Sequence, residues 1–535
     1  IPVEHLIMSK RIAIIGAGAS GITAIKCCLE EDLEPVCYER SNHIGGLWYY
    51  TPDAVEGQGC VMKSTIINTN KEIMSYSDFP APADCPVFMH NTKVLQYLLS
   101  YGKHFGVEKY VHLNHEVLNV KQADDFDKTG KWLLRVTDNN TQKSTDEVFD
   151  GVLVGTGHHA DKLIPKFEGL ESFKGKVIHT HDYKDHVGYE DKRVVIIGIG
   201  NSGGDVAVEL SRITKQVCLS TRRGAWVVNR IGDNGCPIDM LVVKRILAWL
   251  KNMIPRSLMN TFIESKFNAR FDHELYGLKP KHRIDSQHPM VNDDLPNRIA
   301  SGTVKIKPDI KRIGPTSVEF TDGSVEDDID AIILATGYKF GFPFIDHPAL
   351  EVKDNVVNLY KYVFPPDIQP ATLAVIGCIQ PIGAVMPISE IQCRWATRVF
   401  KGLAALPSPQ DMWVDVHKKQ DEMRKRYISS PRHTIQIDLI EYMDEIGEEM
   451  GLNLFWKDPL LAWQLLFGPF ATYQYRLMGP HQWDGAREAT MTIWDRIAFG
   501  LSPKSKPKTS LPTFAYLFGV IILAVIIRWL IFALF

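Results

Sequence analysis

The chain has 535 residues, 60 Lys and Arg against 63 Asp and Glu, and a formal charge of −3. It is too long for one hydrophobic core, which predicts two or three domains, and it has no charge excess that would select nucleic acid or an acidic partner. Its nine cysteines show neither CxxC spacing nor a regular framework, which argues against structural metal sites and disulfides and for a reducing compartment.

In chain order, "IPVEHLI" reads as an extension before "MSKRIAII", a natural start. An apolar strand, Arg11 to Ile15, feeds the turn Gly16, Ala17, Gly18, Ala19, Ser20, Gly21, and a helix follows from about Ser20. In such a GxGxxG turn the glycines permit close approach of a pyrophosphate, whose charge is met by the helix N-terminus. The next strand, "PVCYER", delivers Glu39 23 residues after Gly16, where a carboxylate can accept hydrogen bonds from ribose hydroxyls. Gly45, Gly46, Leu47 and Trp48 come next, where the chain is expected to pass close to the same ligand.

Residues 149–159, "FDGVLVGTGHH", and 329–340, "IDAIILATGYKF", both run from an apolar strand into Thr-Gly. They read as crossover points, making residues 161–330 an insertion in a discontinuous first domain of 8–160 plus 331–500. The insertion repeats the motif with Gly198, Gly200, Asn201, Ser202, Gly203, Gly204 and Asp205. Its second strand, "QVCLSTRRG", puts Ser220 where Glu39 stood, followed by Thr221, Arg222 and Arg223. Hydroxyls and guanidinium forks suit a 2′-phosphate that a carboxylate would repel, so this unit should prefer NADP(H). The first, with its carboxylate, suits FAD. Two such sites in one chain imply that NADPH passes a hydride to a flavin.

Residues from about 231 to 285 break the strand and helix alternation. This amphipathic helical insertion carries Lys244, Arg245, Lys251 and Arg256 among apolar residues, as a membrane-surface element or as a cap on the second unit. A basic linker, 501–512, leads to an apolar segment, 513–535, long enough for a membrane anchor; its lysines place the body on the cytosolic side. The expected fold is α/β, with two Rossmann-type dinucleotide-binding domains, the NADP domain inserted in the FAD domain, a helical insertion and a C-terminal anchor.

Phe173, Gly175, His179 and Tyr183 in "FKGKVIHTHDY", together with "LATGY", "GNSGGD" and "INTNKEIMSYSDFP", resemble the flavin-containing monooxygenases along essentially the whole chain. The resemblance implies FAD, NADPH/NADP+ and O2 as cofactors and co-substrate, and transfer of one oxygen atom from a flavin C4a-(hydro)peroxide to small lipophilic amines, thioethers or ketones. It implies membrane lipid and no nucleic acid as partner, leaves a homo-oligomer open, and points to the cytosolic face of the endoplasmic reticulum.

Carried over residue by residue, it makes Asn68 the hydrogen-bond donor near the flavin, with Thr69 beside it and Gln380 lining the flavin. Ile67, Asn201, Ser202 and Asp205 become NADP contacts. His288, where amine- and sulfide-oxidising members tend to carry glutamate, and Ile67 resemble the isoform-five branch, which converts ketones to esters as well as, or instead of, oxygenating heteroatoms. His179 reads as structural, and the His158–His159 pair lacks ligand spacing. The alternatives are an NADPH oxidase releasing hydrogen peroxide and a disulfide oxidoreductase. The latter would need a redox pair that the adjacent Cys27 and Cys28, on one predicted helix, are poorly placed to form.

Overall fold

The computed structural model describes residues 9–428, 430, 433–452 and 458–502. Ten strands build two parallel sheets: β1 (Arg11–Ile15), β2 (Glu34–Glu39), β3 (Val111–Leu113), β4 (Gly151–Val154), β5 (Lys176–His179), β6 (Arg193–Ile197), β7 (Gln216–Ser220), β8 (Val304–Lys307), β9 (Ala331–Leu334) and β10 (Leu373–Val375). The first sheet runs β10-β4-β1-β2-β3 and the second β8-β7-β6-β9-β5. Their central strands are continuous apolar runs because helices cover both faces. Ile12, Ala13 and Ile14 are wholly buried, as are Val195 and Ile196. An antiparallel three-stranded sheet, 115–149, fills the connection from β3 to β4.

The chain leaves the first sheet after β4 and rejoins it only at β10. One expected boundary is therefore corrected: Ala331–Leu334 does not begin the return to the first unit. It pairs in parallel with β6, Val194 opposite Ala331 and Ile197 opposite Leu334, inside the second sheet. The error has a physical source. β4 and β9 are equivalent strands, each beside the glycine-loop strand of its own unit, so both read as an apolar run into Thr-Gly.

Helix α1 (Ala19–Glu30) follows the first glycine loop and α2 (Asn201–Leu210) the second. The insertion supplies α3 (Arg245–Met253) and α4 (Arg256–Asn268); the C-terminal part of the first unit supplies α5 (Val385–Lys401), α6 (Pro459–Phe467) and α7 (Ile493–Leu501). α5 packs along α1, and a buried charge network joins them. Lys26 lies 2.7 Å from Glu30 and also pairs with Asp78; Arg476 contacts Glu30, Asp78 and Glu390 at 2.9, 3.0 and 2.9 Å. Burial alone would raise the Glu390 carboxyl, but Arg476 and Lys26 outweigh it and hold the pKa down to about 2.

Helix α3 of the insertion is fastened to the C-terminal part of the first unit, so the insertion is not only the expected cap on the second unit. Arg245 pairs with Asp444 and Tyr475, Lys251 with Asp438 at 3.0 Å, and Arg256 with Asp285. Three of its four expected surface cations are thus turned to carboxylates of the protein, and Lys244 is buried. Trp249, Leu258 and Phe262 remain more than half exposed. No helix among the described residues is long and apolar enough to cross a membrane. The expected linker, from 503 onward, and the expected anchor at 513–535 lie outside the described residues.

Candidate active site between the two glycine loops

At the first loop Gly16 has φ +96°, and a Cβ on Gly21 would stand 1.8 Å from the Gly16 carbonyl, so only glycine lets α1 start this close to β1. No side chain caps α1: its N-cap is Gly18, in extended conformation. The first-turn N–H groups are therefore left for an anion. Glu39, at the end of β2, accepts from Ala17 N at 2.8 Å through Oε2 and from Ser41 N and Oγ through Oε1. Those bonds fix the carboxylate at the rim of the loop and leave acceptor capacity for a hydroxyl. Gly46, with φ +52°, packs so tightly that a Cβ would come within 2.9 Å of Gly18 Cα, which brings Leu47 and Trp48 beside the loop.

The second loop repeats this backbone. Gly198 has φ +111°, a Cβ on Gly203 would meet the Gly198 carbonyl at 2.1 Å, and α2 begins without a side-chain cap. A Cβ on Gly200 would project into open space with nothing within 4 Å. That is the space a phosphate approaching these amides would fill. Gly204 instead packs against Met290. Asn201 Oδ1 accepts from Val291 N at 2.8 Å and Asp205 Oδ1 from Asn292 Nδ2 at 2.9 Å, so both side chains hold the segment that follows His288. Burial pushes Asp205 up to about 6, against the pull of Arg230.

A cavity of about 670 Å³ starts at Gly16, Gly18 and Glu39, passes Ile67, Asn68 and Thr69, and reaches Asn201, Ser202 and Asp205 of the second loop. A second, of about 280 Å³, lies at Gly200–Gly203 with His288 and Gln380 in its wall and shares His158, His159 and Tyr338 with the first. No Lys, Arg, Asp or Glu among the described residues lines this second cavity. Burial disfavours the charged form of three of its histidines: it lowers His288, together with His159 it lowers His158 well below the usual value, and with the nearby His288 it brings His159 to about 4. Thr69 Oγ1 and His288 Nδ1 are buried without a partner, as expected for walls that receive a polar ligand.

The strand-end alignment of Ser220 with Glu39 needs one correction. Ser220 does not offer its hydroxyl as Glu39 offers its carboxylate: it is buried and donates to Pro308 O at 2.7 Å. Thr221 Oγ1 accepts from Gly224 N at 3.0 Å, while Arg222 and Arg223 are exposed just past β7 and line neither cavity.

His179 ends β5, where its Nδ1 accepts from His181 N at 3.0 Å and burial lowers it to about 4. Among the described residues no group of His, Cys, Asp and Glu is placed to hold a metal, and all nine cysteines are free, Cys27 and Cys28 buried with thiols raised by burial. Arg230 was not legible as a site residue. Its Nη2 donates to Asn68 Oδ1 at 2.6 Å from 162 residues away, and no local motif marks that contact.

The family model described as flavin-binding monooxygenase-like matches residues 9–535. The chain belongs to that family. It is 52% identical to flavin-containing monooxygenase 5 of Rattus norvegicus over 96% of this chain and 98% of the relative, and 51% identical to that of Homo sapiens over 96% and 97%. Identity to Homo sapiens flavin-containing monooxygenase 2 is 42%, over 98% and 99%. Among solved structures, S-allyl-L-cysteine S-oxygenase from Allium sativum superposes with a TM-score of 0.62 at 26% identity, covering 83% of this chain and 89% of that one. The protein is a flavin monooxygenase of the α/β class, and its identity to the five-type relatives exceeds that to the two-type.

Proposed function

We propose that FAD lies along the first loop and NADP(H) along the second, and that the protein uses NADPH and O2 to insert one oxygen atom into small lipophilic substrates. The observation that carries this reading is the single cavity that begins at Glu39 and ends at Asn201 and Asp205, since two nucleotides in one cavity can exchange a hydride. The residues fit both groups: uncapped helix N-termini for pyrophosphates, Glu39 for a ribose free of phosphate, and exposed Arg222 and Arg223 for a 2′-phosphate. When bound, the flavin supplies the redox and oxygen-transfer chemistry.

The chain binds, orients and excludes water. Gly200 leaves room for a phosphate, Asn68 presents amide N–H groups, and the apolar part of the first cavity's wall, with Leu47, Trp48, Val61 and Met62, limits water there. Uncharged His288, with Ile67 and the higher identity to five-type relatives, favours ketone-to-ester conversion over amine oxidation. Exposed Trp249, Leu258 and Phe262 suit contact with lipid, and with the apolar 513–535 segment they support residence on the cytosolic face of the endoplasmic reticulum.

The test is product analysis. FAD-loaded protein with NADPH, O2, a thioether and an aliphatic ketone should give sulfoxide or ester, with ester the larger share. Hydrogen peroxide equal to the NADPH consumed, with neither product, would replace the reading by an NADPH oxidase.

A further inference from the structure

Asn68 stands in a loop of the first unit, yet the groups that hold it come from the second. Arg230 Nη2 donates to Asn68 Oδ1 at 2.6 Å. Arg230 is held in turn by Asp293, through its backbone N at 3.1 Å and Nη1 at 3.4 Å, and Arg270 Nη2 donates to the Asp293 carbonyl at 3.1 Å. Two residues along the loop, Asn70 N and Nδ2 donate to the buried carboxylate of Asp239 at 2.8 and 2.7 Å. Arg230 and Asp239 both belong to the segment that opens the helical insertion.

A guanidinium has five donors and no acceptor, so its bond to Asn68 admits one amide orientation only: oxygen toward Arg230, nitrogen away. Asn68 Nδ2 has no hydrogen-bond partner among the described residues, and Asn68 lines the shared cavity. A free Asn in a loop rotates and offers a carbonyl as readily as an N–H. We propose that Arg230 is a positioning residue that orients the Asn68 amide, so that the inserted unit makes Asn68 a hydrogen-bond donor toward the cavity. The proposal rests on the reading of Asn68 as the donor of the site.

The test compares Arg230→Met, which keeps length and loses the donors, with Arg230→Lys, which keeps a donor, alone and combined with Asn68→Ala, in the full-length FAD-loaded protein. The readout is product formed per NADPH oxidised with a thioether. Asn68→Ala should lower the ratio about a hundredfold, Arg230→Met roughly tenfold, and Arg230→Lys should restore most of it. The double variant should match Asn68→Ala alone. A further tenfold loss when Arg230→Met is added to Asn68→Ala would overturn the proposal, as would a normal ratio in Arg230→Met while Asn68→Ala is impaired. If Asn68→Ala is itself unimpaired, the donor reading falls and takes the proposal with it. Without added nucleotide, amide exchange across residues 66–70 should rise in Arg230→Met at an unchanged melting temperature; unchanged exchange would also overturn it.

Discussion

The two glycine loops have nearly the same backbone and are fastened in different ways. Beneath the first, α1 is tied to α5 and to residues 78 and 476 by buried ions, and Glu39 is wired to the loop itself by its bond to Ala17 N. In the second unit the ion cluster lies among the strands instead, where Glu326 pairs with Arg193 of β6 and Lys307 of β8 at 2.8 and 2.9 Å, and no Lys or Arg pairs with α2 among the described residues. α2 is held by hydrogen bonds, from Val291 N to Asn201 and from Asn292 to Asp205, and the strand-end hydroxyl of Ser220 faces away toward Pro308. The glycines define where a pyrophosphate goes. On the proposed function, the groups at the strand end, a fixed carboxylate in one unit and exposed arginines in the other, select which nucleotide brings it.

The most severe way to break the comparison is at the packing glycines. Gly21→Ala places a methyl 1.8 Å from a carbonyl and Gly203→Ala one 2.1 Å from its counterpart. Gly21→Ala should purify without flavin. Gly203→Ala should keep its flavin and lose NADPH oxidation, as read from bound flavin absorbance and NADPH turnover. Loss of flavin in both would mean the loops are not separable.

Next in size is Glu390→Gln, which leaves Lys26 and Arg476 short of a buried partner and should cost about 3 kcal/mol in denaturant unfolding. Because the folded pKa of Glu390 is held at about 2, below its ordinary value of 4.5, its contribution is complete above pH 4.5 and fades as pH falls toward 2. The stability difference between wild type and Glu390→Gln should narrow over that window, and a constant difference would remove Glu390 from the network. Smallest is Ser220→Ala, which loses one buried hydrogen bond, about 1 kcal/mol, and should leave the preference for NADPH over NADH unchanged.

Both glycine loops were legible in the sequence because they are backbone chemistry. Gly16 to Gly21, Gly198 to Gly203 and the carboxylate at Glu39 are dictated by turns and strand ends only a few residues long. The same locality misled at Ala331–Leu334, since β4 and β9 do the same job in two units and read alike. It also misled at Ser220, because an aligned position does not say where a hydroxyl points. Arg230 on Asn68 and Arg476 on Glu30 join residues far apart in the chain, and no periodicity or motif announces them.

The proposed function requires the loops to hold different nucleotides in one cavity. Anaerobic mixing of the FAD-loaded protein with NADPH or NADH, followed by flavin absorbance, tests that requirement most directly. NADPH should bleach the flavin much faster than NADH, and the combined Arg222→Ala and Arg223→Ala change should slow the NADPH reaction at limiting nucleotide by on the order of tenfold or more while leaving NADH and flavin content unchanged. Equal bleaching by both nucleotides, indifferent to the two arginines, would contradict it.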